Sequence, residues 1–412
     1  MTPPHFLRLY AGFATAYLLS YVFRTVNAVI SPDLSADLGI SASSLGLLTS
    51  AYFLAFAAMQ LPAGMMLDRF GPRRVEPVLL TIAGCGALAF AASGDLSGLA
   101  LARALIGAGV AVCLMAPLKA IAMWYPADRQ ASLSGWMMVA GGLGALLATA
   151  PLAAALVWMS WRGIFVVLAL TTFAAAAILF FNVPDIPRQA NAPGFAAQWR
   201  GVRSVFRNPR FWWLSPLAAT AMGSFMAIQG LWSVPWLIEV DGYTRDVAAR
   251  HLLVMGIAIL VGYVGLGLFA TWLARRGIAA RHLFVSGFGL SIFALALIVL
   301  RAFSFTYLPW ALYGFGSAVN VLAFTVLSQG FPRELTARAN TALNLLMFSG
   351  SFAAQWGIGL LVDASRIALG VDTASGLRLA FGLVLVLDLF AFAWLLLGWR
   401  RHSRAIQTLA VA

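Results

Sequence analysis

Apolar residues fill runs of about 20 positions, and short polar or arginine-bearing breaks separate these runs along the whole 412-residue chain. Runs of that length let an α-helix cross the hydrocarbon of a bilayer with every backbone group bonded internally. The pattern predicts twelve helices, at 6–33, 42–67, 75–93, 97–123, 132–157, 161–182, 209–239, 246–274, 281–301, 304–330, 335–364 and 374–399. One longer polar interruption, "NVPDIPRQANAPGFAAQWRGVRSVFRNPR" from Asn182 to Arg210, divides them six and six. Its prolines and arginines read as a linker, with a short surface helix near 195–206. The fold class expected is an all-α polytopic membrane protein: a six-helix bundle over 1–183, a cytoplasmic linker over 184–208, and a second six-helix bundle over 209–412 with a short cytoplasmic tail.

A weak internal repeat supports the division. "YPADRQASLSG" begins at Tyr125 and "FPRELTARAN" begins 206 residues later at Phe331. Both open on aromatic-Pro and lead into a helix rich in small residues. The same offset carries "LDRFGPRR" after the second helix onto "LARRGIAAR" after the eighth. Parallel repeats of this kind are typical of transporters with two halves.

Composition agrees: 62% of residues are hydrophobic, 10% are charged and the mean hydropathy is +0.89, against roughly 25% charged in soluble domains. The net charge of +13 would suit nucleic acid, but its placement argues for topology. With the N-terminus inside, eighteen arginines fall in cytoplasmic loops and tails, against six outside: Arg162, Arg245, Arg250, Arg301, Arg366 and Arg378. This positive-inside bias puts both termini in the cytoplasm. No nucleic-acid partner is expected; membrane lipid is. The first hydrophobic segment is too long for a signal-peptide core, so it is expected to stay as the first helix. Cys85 and Cys113 fall inside predicted helices, where packing is the default role. No nucleophile–base pair, phosphate-binding glycine loop or HExxH motif stands out, so no enzyme and no tightly bound cofactor is expected. A sensor on the same scaffold would ordinarily append a soluble signalling domain.

"GMMLDRFGPRR", from Gly64 to Arg74, resembles the signature between the second and third helices of the major facilitator superfamily, at Gly64, Asp68, Arg69, Gly71, Arg73 and Arg74. "RALIGAG", with Arg103, Gly107 and Gly109, resembles that superfamily's fourth-helix motif. The second-half copy is degraded, with Ala274 where Asp68 stands in the first. The loop also suits a latch. Asp68 closes a helix at the cytoplasmic face, the N-terminus of the eleventh helix carries partial positive charge, and Arg338 lies in its first turn. Contact between them is expected to favour an outward-open state.

The solute must be argued from intramembrane polar residues. "MGSFM" places Met222 and Met226 four residues apart, and "HLLVM" does the same for His251 and Met255. That spacing sets each pair on one helix face, and thioether with imidazole suits Cu(I). A kink at Pro235 would draw the seventh helix toward His251. Methionines that fill gaps and a histidine at an interface explain the same residues equally well. The two pairs on the seventh and eighth helices resemble the CcoA-like copper importers, bacterial inner-membrane members of the superfamily whose close relatives include riboflavin importers. That resemblance implies a copper importer working by alternating access, with Met222, Met226, His251 and Met255 handling a copper ion or small chelate as substrate, in a protein expected to be monomeric. The alternative is an importer of an organic solute such as riboflavin.

Arg24 and Arg103 resist the copper reading. Both lie within predicted spans bordering the central cavity, where they would repel a bare cation and welcome an anionic or carbonyl-rich solute. Either they pair structurally, Arg24 with Asp33 for example, or the cargo is a chelate or an organic molecule. Lys119 is expected to snorkel toward the cytoplasmic end of its helix. Asp388 is the only carboxylate well inside a predicted span; a proton-coupling role is conceivable, though its helix should be peripheral.

Overall fold

A computed structural model of the chain describes residues 6–184, 195–276, 278, 280–328, 331 and 333–409. The first half of the linker, the loop around Gly277 and the Pro332 turn lie outside the described residues. The first bundle comprises α1 (Phe6–Leu38), α2 (Ala42–Phe70), α3 (Pro72–Ala92), α4 (Leu96–Gly109) continued by α5 (Met115–Trp124), α6 (Ala127–Leu147) continued by α7 (Ala150–Ala155), and α8 (Trp161–Asn182). A linker helix, α9 (Phe195–Phe206), follows. The second bundle comprises α10 (Phe211–Ala227), a π turn (Ile228–Trp232) and α11 (Ser233–Glu239) as one span, then α12 (Arg245–Arg275) and α13 (Ala280–Leu300). It ends with α14 (Tyr307–Ser317) and α15 (Leu322–Ser328) joined by a 3₁₀ turn, then α16 (Arg333–Leu369) and α17 (Thr373–Leu409). Among the described residues, ten helices are long and apolar enough to cross a membrane; α4 and α6 supply shorter apolar pieces for the fourth and fifth spans.

Prolines explain most of the breaks. A proline removes one hydrogen bond and its ring collides with the carbonyl four residues back. Pro117 so disturbs Cys113, inside the irregular Val110–Leu114 step between α4 and α5. Pro151 meets Leu147, the last residue of α6, and Pro235 meets Leu231, inside the π turn. Where the helix continues past a proline, side chains take over the freed carbonyl. The Ser31 hydroxyl donates to the Ala28 carbonyl at 3.0 Å above Pro32, and the Trp394 indole donates to the Trp212 carbonyl at 3.0 Å above Pro216.

The bundles meet along α2 and α16, with α1 against the π turn and α11, and α6–α7 against α12. Two ends can be distinguished: a linker end, holding α9, and a far end, holding the α1–α2 and α11–α12 turns. The far end is tied shut. Arg245 donates to both oxygens of Asp33, at 2.9 and 2.5 Å, and the Ser43 amide donates to Asp363 at 2.8 Å. A Cβ at Gly359 would collide with the Ala42 carbonyl, so this close approach requires glycine. Nearer the linker end, the Asn344 amide donates to Gln60 across the bundles at 2.7 Å.

Asp33 therefore belongs to Arg245, and the Arg24–Asp33 pair, one of the alternatives raised from sequence, does not form. Lys119 does not simply snorkel: its ammonium donates to Asp68 at 2.6 Å and to the Leu67 carbonyl at 2.8 Å. Asp68 is held within its own bundle in this conformation. Arg338 packs instead against Gly201 of the linker helix. Gly71 has φ +76 and its amide closes α2 on the Leu67 carbonyl, so the left-handed backbone explains that glycine. Gly64 meets nothing within 4 Å, Arg69 is exposed, and Arg73 donates to the Phe180 carbonyl at 3.1 Å.

Candidate solute-binding site

Arg24 is 5% exposed and Arg103 is wholly buried, and among the described residues no carboxylate pairs with either. The two arginines differ in what holds them. Arg103 lies inside the first bundle. A Cβ at Gly107, one turn on, would collide with the Tyr52 carbonyl, so glycine lets α4 press on α2. The Arg103 guanidinium then sits 5.0 Å from the Tyr52 ring centre. Its Nη1 donates to the Phe23 carbonyl at 2.8 Å, immediately before Arg24, while Nε and Nη2 have no partner.

Arg24 faces the seam between the bundles. Its guanidinium lies 4.5 Å from the Tyr21 ring, 5.5 Å from Phe56, and 5.5 Å from Phe348 of the opposite bundle. Phe56 and Phe348 themselves are 4.2 Å apart. Tyr52 stands beside both arginines and gives its hydroxyl to the Ser20 carbonyl at 3.3 Å. Tyr263 of α12 is within electrostatic reach of Arg24. Aromatic faces attract a guanidinium without using its N–H donors; the Tyr52 hydroxyl accepts a hydrogen bond from Arg24, while the Arg24 Nε has no partner.

Other unspent polar atoms border the same seam. Asn27, one turn from Arg24, donates to the Thr49 hydroxyl at 2.9 Å while its Oδ1 has no partner. Gln355 of α16 is fully buried and both ends of its amide are unpaired. Its backbone carbonyl accepts from Trp232 of the π turn at 2.9 Å and abuts Gly46 of α2. Buried polar groups are normally satisfied, so a row of unpaired ones along a bundle interface is a candidate for a polar ligand. The sequence analysis missed Asn27 and Gln355. The three-residue spacing of Arg24 and Asn27, and a lone amide in an apolar helix, were the available signals.

The Met/His constellation has different surroundings. Met226 and Met255 are buried and Met222 is partly so. α10 lies against α16 and α17, whereas α12 lies against α14, where Met255 fills the space left by Gly314. Both ring nitrogens of His251 are occupied: Nδ1 meets the Val247 carbonyl and Nε2 the Thr306 hydroxyl, each at 2.8 Å. The ring is stacked 3.7 Å from Tyr307 and 5.2 Å from Tyr243. Among the described residues no three His, Cys, Asp or Glu side chains gather where they could hold a metal ion. Cys85 is exposed, Cys113 is buried, and both are free.

Comparison with known proteins adds the following. The family model described as Major Facilitator Superfamily matches residues 13–355. The hexuronate transporter of Escherichia coli (strain K12) is 30% identical over 282 residues, covering 62% of this chain and 63% of that protein, so the match spans less than two thirds of its length. The probable L-galactonate transporter of the same organism is 24% identical over 88% of this chain and 85% of its own. A solved bacterial homolog of the human lysosomal transporter Spinster, inward-facing and unoccupied, superposes with TM-score 0.77 at 19% identity over 97% of this chain and 98% of that one.

Proposed function

The chain belongs to the Major Facilitator Superfamily, and we propose that the solute it carries across the membrane is a small hydroxylated organic acid of the sugar-acid kind. It is a multi-pass membrane transporter, not an enzyme. The observation that carries the reading is Arg24: a buried guanidinium at the bundle interface with no carboxylate of its own. A charged group in such a place is costly unless paired, and a solute carboxylate is the complement that a guanidinium binds best, through two parallel hydrogen bonds. Asn27 and Gln355 offer both acceptors and donors, which suits hydroxyl groups. The names of the relatives support the same class, since hexuronate and L-galactonate are both sugar acids.

Alternating access follows from the two-bundle plan. With the far end tied by Asp33–Arg245 and Ser43–Asp363, the solute would reach Arg24 from the linker end once the Gln60–Asn344 and Phe56–Phe348 contacts part. Charge on the seam links the two openings: a carboxylate neutralises Arg24 and lets the bundles close over a site that is otherwise a buried cation. The arginine bias supports a topology with the linker end and both termini on the cytoplasmic side of a bacterial inner membrane. Release of Lys119 from Asp68 would then free Asp68 for the eleventh-helix contact in the outward-open state.

Copper is the weaker reading. His251 has no free nitrogen, the methionine pairs turn to different neighbours, and a cationic seam opposes a metal cation. The organic-solute alternative therefore stands ahead of the copper importer, with sugar acids ahead of riboflavin. Uptake of radiolabelled D-galacturonate, copper(I) and riboflavin into proteoliposomes tests this. Saturable uptake of galacturonate alone supports the proposal; saturable copper uptake without acid uptake overturns it.

A further inference from the structure

Asp388 lies on α17, the helix whose outer face exposes Leu387, Leu389, Phe390 and Trp394 to the surroundings. Its own side chain turns inward and is 3% exposed. The Ser224 hydroxyl of α10 donates to one carboxylate oxygen at 2.8 Å, and the Thr220 hydroxyl, one turn earlier on the same helix, also faces the carboxyl. Among the described groups that titrate, Tyr313 of α14 faces it, with its hydroxyl beside that of Ser224. The charged residues on neighbouring elements stand at helix ends: Glu239 on α11, Arg281 on α13, Arg338, Asp363 and Arg366 on α16. Among the described residues, no cation therefore compensates Asp388. An isolated carboxylate in such a place is stable only as the neutral acid.

The location connects this group to the solute site. Ser224 lies one helical turn before the π turn Ile228–Trp232. At Gly230 that turn packs on α1, where a Cβ would lie 3.3 Å from the Arg24 carbonyl. π turns inside α-helices are frequent at functional positions. One helix span thus joins Ser224, which holds Asp388, to the backbone that carries Arg24.

We propose that Asp388, with Ser224 and Tyr313 around it, is the proton-binding site that couples solute transport to a proton gradient. The neutral acid lets α10 and α17 pack as seen here. When the site opens to the side of low proton activity, the carboxyl gives its proton to water there, and the resulting carboxylate must be rehydrated before the bundle can repack. It reloads from the side of high proton activity. One proton crosses with each cycle, and none is made or consumed. The proposal rests on the solute reading only for the driven-uptake assay.

The test uses the full-length transporter in proteoliposomes and Asp388→Asn, a near-isosteric neutral mimic checked for folding by its thermal midpoint, with Asp388→Ser as a second variant. Wild-type vesicles should accumulate D-galacturonate under an imposed pH gradient. Asp388→Asn should lose that accumulation about tenfold or more, while galacturonate counterflow, which needs no net proton movement, persists. Unchanged pH-driven accumulation in both variants overturns the proposal, as does accumulation driven by sodium and not by protons. If galacturonate shows no counterflow even in the wild type, the solute reading has failed, and infrared difference spectra decide the proton site alone. A protonated-carboxyl band present in the wild type at neutral pH and missing from Asp388→Asn supports it; superimposable spectra overturn it.

Discussion

Arg24 in the first bundle and His251 in the second are both polar side chains buried inside spans, and their surroundings are opposite. His251 is saturated: each ring nitrogen has a partner at 2.8 Å and two tyrosines stack on its faces. Arg24 is surrounded by ring faces, and beyond its hydrogen bond to the Tyr52 hydroxyl its Nε donor is left without a partner. A satisfied buried group fastens helices together, here α12 to the loop before α14. An unsatisfied one stores a demand that a ligand can meet. Identity of the residue type gives no guide to which case holds; the inventory of partners does.

The strongest way to break the contrast is to remove the unmet demand. Arg24→Gln keeps a polar side chain but loses the charge and the fork. Solute affinity should fall by about 1.5–3 kcal/mol, roughly ten- to hundredfold, with little change in thermal midpoint; isothermal titration and a melting curve read the two effects. His251→Leu should do the reverse. The Thr306 hydroxyl keeps Tyr243 at 3.0 Å, so losing its bond to His251 costs about 0.5–1.5 kcal/mol of stability, seen as a lowered thermal midpoint, while galacturonate uptake per folded molecule stays near that of the wild type and added copper changes neither.

A smaller effect is expected at the seam. Gln60→Leu removes one hydrogen bond between the bundles, worth about 1 kcal/mol, so the closed-to-open ratio at the linker end should drop roughly fivefold. Spin labels at Arg74 and Ile278, on the two bundles at that end, would report a longer mean separation by pulsed electron resonance. The smallest effect concerns Asp241 in the far-end loop. Burial pushes its carboxyl above the usual aspartate range, with the Arg301 guanidinium 3.3 Å away acting in the opposite sense. A carboxyl raised in the folded state contributes stability that is present at low pH and is lost as pH rises through its folded value. The thermal midpoint of the wild type relative to Asp241→Asn should therefore increase slightly as the pH is lowered from neutral toward 4.

The fold was legible because hydrophobic length and arginine placement are one-dimensional signals. Twelve runs and one polar linker were enough to expect two bundles, and Pro235 was enough to expect a disturbance in the seventh span, which the structure resolves as a π turn. The site was legible only in part. Arg24 and Arg103 drew attention as charges inside spans, but their pairing could not be read, because Asp33 had two arginines within topological reach and chose Arg245. Spacing made Met222, Met226, His251 and Met255 look like a ligand set. Spacing reports which side chains share a helix face, and not whether Thr306, 55 residues away, already holds the imidazole. The same limit applied to Asp68, whose partner Lys119 comes from a helix of its own bundle.

The most direct measurement is the preference for an acid over its uncharged counterpart, determined in the wild type and in Arg24→Gln. Affinities of purified protein for D-galacturonate and for D-galactose, taken by titration calorimetry in the same buffer, give that preference as a ratio. The account predicts a ratio of about ten to a hundred in the wild type, collapsing toward one in Arg24→Gln because the carboxylate has lost its partner. A variant that still prefers the acid by the wild-type ratio would place carboxylate recognition elsewhere and contradict the account.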